Sequence, residues 1–301
     1  MKKLIIGLAI FALIVFGGYK LFNNITSSDA ITKNIQFDYE SVPQFDGTKS
    51  YVEVNGNKPF FTDSEITKKS YVKYAALDSL KRVSSTMGCI GDDIMPEDDE
   101  KKESLGENYP TGWNSVKYEN IEGDGYSQKR TRCIERFLSG AYAEKRNIIA
   151  ASPYMSNNIN AFEVRVARYI ERTSNHVMIR VTPVYKSTEL MCRGVLMEAY
   201  SVEDDGAGIS FNVFLYNIQP GISYDYSTGE SKYTGEYEYL GQTGNDIIID
   251  YKYILNNNTM TIHKPGCENA EKIGSKNRVY SNAEKEELAG AGYAPAECCN
   301  P

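Results

Sequence analysis

Positive charge is in deficit in this 301-residue sequence, where 33 Lys and Arg stand against 40 Asp and Glu and leave a net charge of −7. That is the wrong sign for wholesale binding to phosphate backbones, so any nucleic-acid role must rest on a local patch. Histidine is scarcer still, with two. No internal repeat is visible, which removes the solenoid and propeller readings. Hydrophobic residues make up 41% and charged residues 24%, ordinary globular values that exclude a wholly disordered or collagenous chain. The length is enough for one large domain or two smaller ones, each with its own core.

A local basic patch is present. From Lys129 to Arg180 the chain carries ten Lys and Arg against four Glu, while just upstream Asp92 to Glu107 holds eight acidic residues and two lysines and reads as a solvated loop. The N-terminus has another character. Behind Lys2 and Lys3 an apolar stretch runs from Leu4 to Phe22, broken only by Lys20, close to the roughly 20 residues that span a bilayer. A retained signal anchor and a cleaved signal peptide both fit, the latter because Ser28-Asp29-Ala30 offers a small-x-small site. The long apolar core, with no cleavage site directly after it and no lipobox cysteine, favours a single-pass anchor over residues 1–22. The two lysines then place the N-terminus in the cytoplasm and the folded domains outside the cell. Residues 23–47 are polar and read as a tether.

Further along, Tyr51 to Val54 followed by Asn55-Gly56 predicts a strand entering a tight turn, and Thr62 to Leu80 shows helical spacing behind an N-cap candidate. Gly91 to Tyr126 is irregular. Ala161 to Arg172 is the clearest helix, with Phe162, Val166 and Tyr169 on one face and Arg165, Arg168 and Arg172 in a basic stripe. Alternation predicts strands over His176–Tyr185, Gly194–Val202 and Ile209–Ile218. The expected fold class is α+β with an antiparallel sheet over 48–234, then a linker over 235–250 and a small module over 251–301.

Several runs carry a family resemblance. Leu77 to Val83, Ile94-Met95-Pro96, Pro110-Thr111-Gly112-Trp113 with Val116-Lys117-Tyr118, and Asn175-His176-Val177 with Arg180-Val181-Thr182-Pro183 come first. Ser201-Val202-Glu203-Asp204, Phe211-Asn212-Val213, Asn217 to Gly221, and Asp225-Tyr226 with Thr228-Gly229-Glu230 follow in order. Over roughly residues 50 to 230 the chain resembles the DNA/RNA non-specific endonuclease family, whose membrane-anchored branch includes bacterial DNA-entry nucleases. The resemblance implies a ββα-metal nuclease fold in which a strand histidine activates water and a helix asparagine holds one hydrated Mg²⁺.

Mapped onto that site, the chain departs from the pattern. The stretch corresponding to the base motif is Thr131-Arg132-Cys133-Ile134, with Ile134 in place of the histidine. Neither His176 nor His263 fits that position. The metal-binding asparagine of the family's Tyr-Met-Asn is Ser156 here, although Asn157 follows at once, so a one-position slip would restore an amide. The resemblance also assigns Arg132 beside the base, Asn147 before the ligand loop and Glu163 facing the metal's water shell. Each has a plainer alternative: Arg132 as a solvated charge, Asn147 satisfying loop backbone, Glu163 pairing with Arg165 or Arg168. Glu135 is the one local candidate to replace the base. Arg130, Arg165, Arg168 and Arg172 are the candidate nucleic-acid contacts.

The C-terminal module resembles a small metal-binding module related to the Ada zinc domain, with the pattern His-x3-Cys and a distant Pro-Cys-x2-Cys. His263, Cys267 and Cys299 match, Ala296 stands where another cysteine belongs, and Cys298 is adjacent. A structural Zn²⁺ and a disulfide from Cys267 to Cys298 or Cys299 both suit such a module. Cys89, Cys133 and Cys192 read as small buried residues.

Loss of a positioned base costs about 10² to 10⁴ in rate. The expectation is therefore a membrane-anchored nuclease relative whose phosphodiester hydrolysis is lost or much weakened, with Mg²⁺ as its cofactor if active. The alternatives are a non-catalytic nucleic-acid-binding protein and a surface, immunity-like protein that contacts another protein.

Overall fold

The computed structural model describes residues 37–47, 49–96, 104–119, 124–141, 143–235, 252–264, 267–273, 277–281 and 284–301. The chain divides into two compact units, Met1–Glu238 and Tyr239–Pro301. The apolar stretch 1–22, most of the tether and nearly all of the linker lie outside the described residues. Among the described residues no helix is long and apolar enough to cross a membrane.

The first unit is built on a six-stranded sheet. Its strands are β1 (Tyr51–Glu53), β2 (Tyr71–Tyr74), β3 (Thr86–Ile90), and, beyond the insertion described next, β6 (Val177–Val184), β7 (Gly194–Ser201) and β8 (Ser210–Tyr216). They lie in the order β1-β8-β7-β6-β3-β2, every pair antiparallel. Between β3 and β6 the chain forms a separate pair, β4 (Lys129–Arg132) with β5 (Ile148–Ala151), a one-turn helix α1 (Arg136–Ser139), and the long helix α2 (Pro153–Thr173). A short hairpin of β9 (Ile222–Tyr224) and β10 (Ser231–Tyr233) ends the unit.

Helix α2 covers one face of the sheet. Its buried residues Met155, Ile159, Phe162, Val166 and Ile170 repeat at three- and four-residue spacing, and Phe162 meets Tyr51 edge-on at 5.3 Å and Phe211 at 4.9 Å. The other face holds Met87, Cys89 and Met178 under Phe61, Ile66 and Tyr71. A buried charge sits there as well. Arg180 of β6 lies opposite Glu198 of β7, bonds it through Nε at 2.6 Å and reaches Glu65 through Nη1 at 2.9 Å. Because burial of an unpaired charge is costly, these two carboxylates hold the 58–66 segment down over the sheet.

Two expectations change here. The helical spacing over Thr62–Leu80 produces no helix: Thr62 does cap a turn, with its N–H on Glu65 Oε2 at 2.8 Å, but Glu65 is drawn to Arg180 and the following residues pair as β2 with β3. Residues 37–47, read as the end of a tether, are packed. Phe37 stacks on Phe214 at 5.6 Å, and Tyr216 donates its hydroxyl to Pro43 O at 2.7 Å.

The second unit is a small sheet in the order β13-β11-β12-β14, from β11 (Tyr253–Asn256), β12 (Thr261–His263), β13 (Arg278–Ser281) and β14 (Ala294–Pro295). Two short helices accompany it, α3 (Glu268–Glu271) and α4 (Lys285–Gly290).

Candidate functional sites

In the first unit β4, β5 and α2 form a ββα arrangement. Ser152 caps α2 by accepting from Met155 N at 3.0 Å, and Pro153 begins the helix, where its missing N–H costs nothing. Ser156 and Glu163 are seven residues apart, close to two turns, so they share the helix face that looks at β4. Thr131 of β4 donates to Ser156 Oγ at 2.9 Å. Asn157, about 100° further round, is exposed. The slip that would restore an amide ligand is not made.

At the position where the resemblance expects the base, the chain presents hydrocarbon. Ile134 and Cys133 are both 0% exposed and Asn147 is 1% exposed. The Asn147 carboxamide accepts from Ile134 N at 3.0 Å and donates to Ile134 O at 2.8 Å, and its backbone carbonyl accepts from Cys133 N at 2.7 Å. Of the two readings of Asn147, the geometry is that of the loop clamp. His176 is engaged elsewhere, its Nδ1 2.8 Å from Glu203.

Glu163 is fully buried, with Oε1 accepting from Glu135 N at 2.8 Å and Oε2 without a hydrogen-bond partner. Burial pushes its carboxyl well above the usual range and the Glu135 charge adds to this, against the pull of the Glu135 N–H and Arg132. It does not hydrogen-bond Arg165 or Arg168. Glu135 is occupied too: it caps α1 through Arg136 N at 3.1 Å and pairs with Arg132 at 3.0 Å. Hydrated Mg²⁺ wants charged or strongly polar oxygens. One bonded serine hydroxyl and a single fully buried carboxyl whose Oε1 already accepts from Glu135 N are a poor set for it, and no chemical step is derived through that ion.

The helix stripe is real. Arg165, Arg168 and Arg172 follow one flank of α2, the first two half-buried and the third exposed, with the Arg165 guanidinium 5.9 Å from the Phe211 ring. Arg130 does not join them. Its Nη1 donates to Gly106 O at 2.6 Å and Asn108 O at 3.3 Å, and its guanidinium lies over Tyr109 at 4.8 Å.

The second unit assembles a metal-ligand set. His263 ends β12, Cys267 precedes α3, and Cys298 and Cys299 lie in the turn after β14; their ligand atoms all fall within 4.8 Å of one another. His263 Nδ1 is 3.6, 3.5 and 3.9 Å from the sulfurs of Cys267, Cys298 and Cys299, and Cys298 Sγ is 3.5 and 4.0 Å from the other two. A tetrahedral Zn²⁺ with bonds of about 2.3 Å to sulfur and 2.0 to 2.1 Å to nitrogen requires edges of about 3.8 and 3.5 Å. The observed edges match. A disulfide would need about 2.05 Å, and all the cysteines are free.

Cys298 therefore completes a set of four groups that could hold a metal ion, while Ala296 is buried with its N–H on Ile262 O at 2.8 Å. Burial raises the Cys267 thiol, but hydrogen bonds from His263, the Ala270 backbone and the other two cysteines outweigh it and bring it to about 6. Burial, with the neighbouring thiols, raises Cys299 to about 11. A dication relieves this conflict. Thr261, which the sequence reading passed over, bonds His263 Nε2 at 3.0 Å and leaves Nδ1 for the ion. Its place two residues before a strand histidine, on the same side of the strand, was the available signal.

Cys89, Cys133 and Cys192 are buried as expected. Burial pushes the Cys89 and Cys192 thiols up to about 12 and that of Cys133 well above its ordinary value, so none is an activated nucleophile.

No family model and no curated protein matches the chain. Among solved structures it is similar to NucA from Streptococcus agalactiae without metal, at a TM-score of 0.55 and 22% identity over 67% of this chain and 95% of that one. The magnesium-bound form of NucA gives 0.55 and 22% over 68% and 94%. Sda1 nuclease with bound zinc gives 0.52 and 20% over 66% and 100%. The first unit thus has a ββα-metal nuclease-like fold, with an antiparallel sheet and a ββα insertion.

Proposed function

We propose that this chain is a nuclease-fold protein in which phosphodiester hydrolysis is lost or much weakened and nucleic-acid binding is kept. One observation carries the reading: Ile134, which the resemblance sets where the base is expected, is fully buried and clamped by Asn147. Water attacking a phosphodiester needs a proton acceptor, and the carboxylate next to Ile134, that of Glu135, is engaged by Arg132 and by Arg136 N. The flank of Arg165, Arg168 and Arg172 supplies phosphate contacts, which hold a backbone without reading sequence. The C-terminal unit is a structural zinc module. The apolar stretch 1–22 anchors the protein in the cell membrane with its folded units outside.

The test is binding and cleavage measured side by side with the full chain. The proposal expects salt-dependent DNA retention without added divalent metal and background nicking in Mg²⁺ or Mn²⁺. The net charge of −7 supports a second reading, a protein-contact role, which is the one left standing if no DNA is retained even at low salt.

A further inference from the structure

Tyr109 is the most exposed of the large hydrophobic side chains among the described residues, at 60%. Its ring is nonetheless held in place. The Arg130 guanidinium lies 4.8 Å from its centroid, Trp113 lies 6.2 Å away, and Arg130 is itself tied to the carbonyls of Gly106 and Asn108. Asn108 donates to Ala143 O at 2.8 Å, and Gln128 brackets the segment through Gly112 O at 3.2 Å and Asn114 N at 2.7 Å. An exposed aromatic ring fixed this way has already lost the freedom that a ligand would otherwise have to remove.

The pocket beside the ring carries one charge of each sign. Lys145 lines the same shallow pocket as Tyr109, is exposed, and makes no ion pair among the described residues. Glu107 lines it too and is the opposing charge. Arg130 and Arg132 are two residues apart on β4 and so leave the strand on the same side, which sets this ring beside the ββα region. A neutral sugar or an apolar peptide would gain little from Lys145. A phosphate next to a stacked base would gain directly.

We infer that Tyr109, backed by Arg130 and Trp113 and flanked by Lys145, is a stacking platform for an unpaired base of a single-stranded nucleic acid. This rests on the nucleic-acid reading above. Every base has a π face, so the platform is indifferent to sequence, and it favours single strands because paired bases present no free face. Arg130, expected as a phosphate contact, here supports the ring instead.

The chain contains one tryptophan, Trp113, so its fluorescence reports on the platform without a label. The experiment titrates the full chain, without added Mg²⁺ or Mn²⁺, with a 16-nucleotide oligothymidine and with a duplex of the same length. Quenching of Trp113 and anisotropy of labelled strands are both followed. The expected result is quenching by the single strand, about tenfold weaker single-strand binding in Tyr109→Ala, nearly full binding in Tyr109→Phe, and duplex binding changed less than twofold. Lys145→Ala should weaken both and flatten the salt dependence, and Glu107→Gln should tighten both. Single-strand binding that is unchanged in Tyr109→Ala but lost in Arg165→Ala/Arg168→Ala overturns this inference and leaves the nucleic-acid reading intact. Wild-type protein that binds neither strand overturns both.

Discussion

Asn147 grips Ile134 by both of its backbone polar groups, accepting from the N–H at 3.0 Å and donating to the C=O at 2.8 Å. All three groups are buried, so each depends on the others for its hydrogen bond. In Asn147→Ala, Ile134 loses both partners, and the cost is expected at ~2–4 kcal/mol from two buried backbone groups left unsatisfied. Urea unfolding measures it. Loss below 1 kcal/mol would show that Asn147 is not what holds this loop.

Glu163 carries a pH signature. Its folded-state pKa lies well above its ordinary value, with burial the main cause. The buried neutral carboxyl therefore contributes stability that is fully present below the usual carboxylate pKa and is lost as the pH rises through the folded value, because the unfolded chain gives up its proton first. Glu163→Gln, a neutral isostere, should be relatively more stable at pH 8 than at pH 4 when each is compared with wild type. A difference that does not change with pH would remove the neutral-carboxyl account.

Purified protein should carry about one Zn²⁺ per chain, lost in Cys267→Ser and Cys298→Ser, because thiolate ligands set both the affinity and the folding of so small a unit. Thr261→Val should keep the metal but weaken it by about 10- to 100-fold, since the threonine orients the His263 ring. Cys267 found in a disulfide without metal would decide the other way.

Arg165→Ala/Arg168→Ala should lower DNA affinity with little sequence dependence and reduce the slope of log affinity against log salt by about 1 to 2, as two phosphate contacts release their counterions. A slope unchanged by this variant would take the flank of α2 out of the interface.

The strands over 177–184, 194–201 and 210–216 were legible in the sequence, although both faces of each are largely buried, and so was the helix over 161–172, which in the structure begins eight residues earlier at Pro153. Ile134 at the position expected for the base, and His263, Cys267 and Cys299 as a metal-ligand pattern, were legible through the resemblances, which left Cys298 and a disulfide open; the structure brings all four side chains together. What could not be read depended on distant partners. Thr62 does cap a turn, but Arg180, which captures Glu65, lies 115 residues away. Arg130 looked like a phosphate contact because charge patterning does not show that Tyr109 and two carbonyls occupy it. The choice between Ser156 and Asn157 turned on which residue faces Thr131, a matter of helix phase fixed by the Ser152 cap.

The most direct measurement is plasmid nicking by the full chain in Mg²⁺ or Mn²⁺, with wild type beside Ile134→His and Glu135→Gln and with folding of each followed by circular dichroism. The account predicts wild-type cleavage at background, unchanged in Glu135→Gln. Robust wild-type nicking that Glu135→Gln abolishes would contradict it.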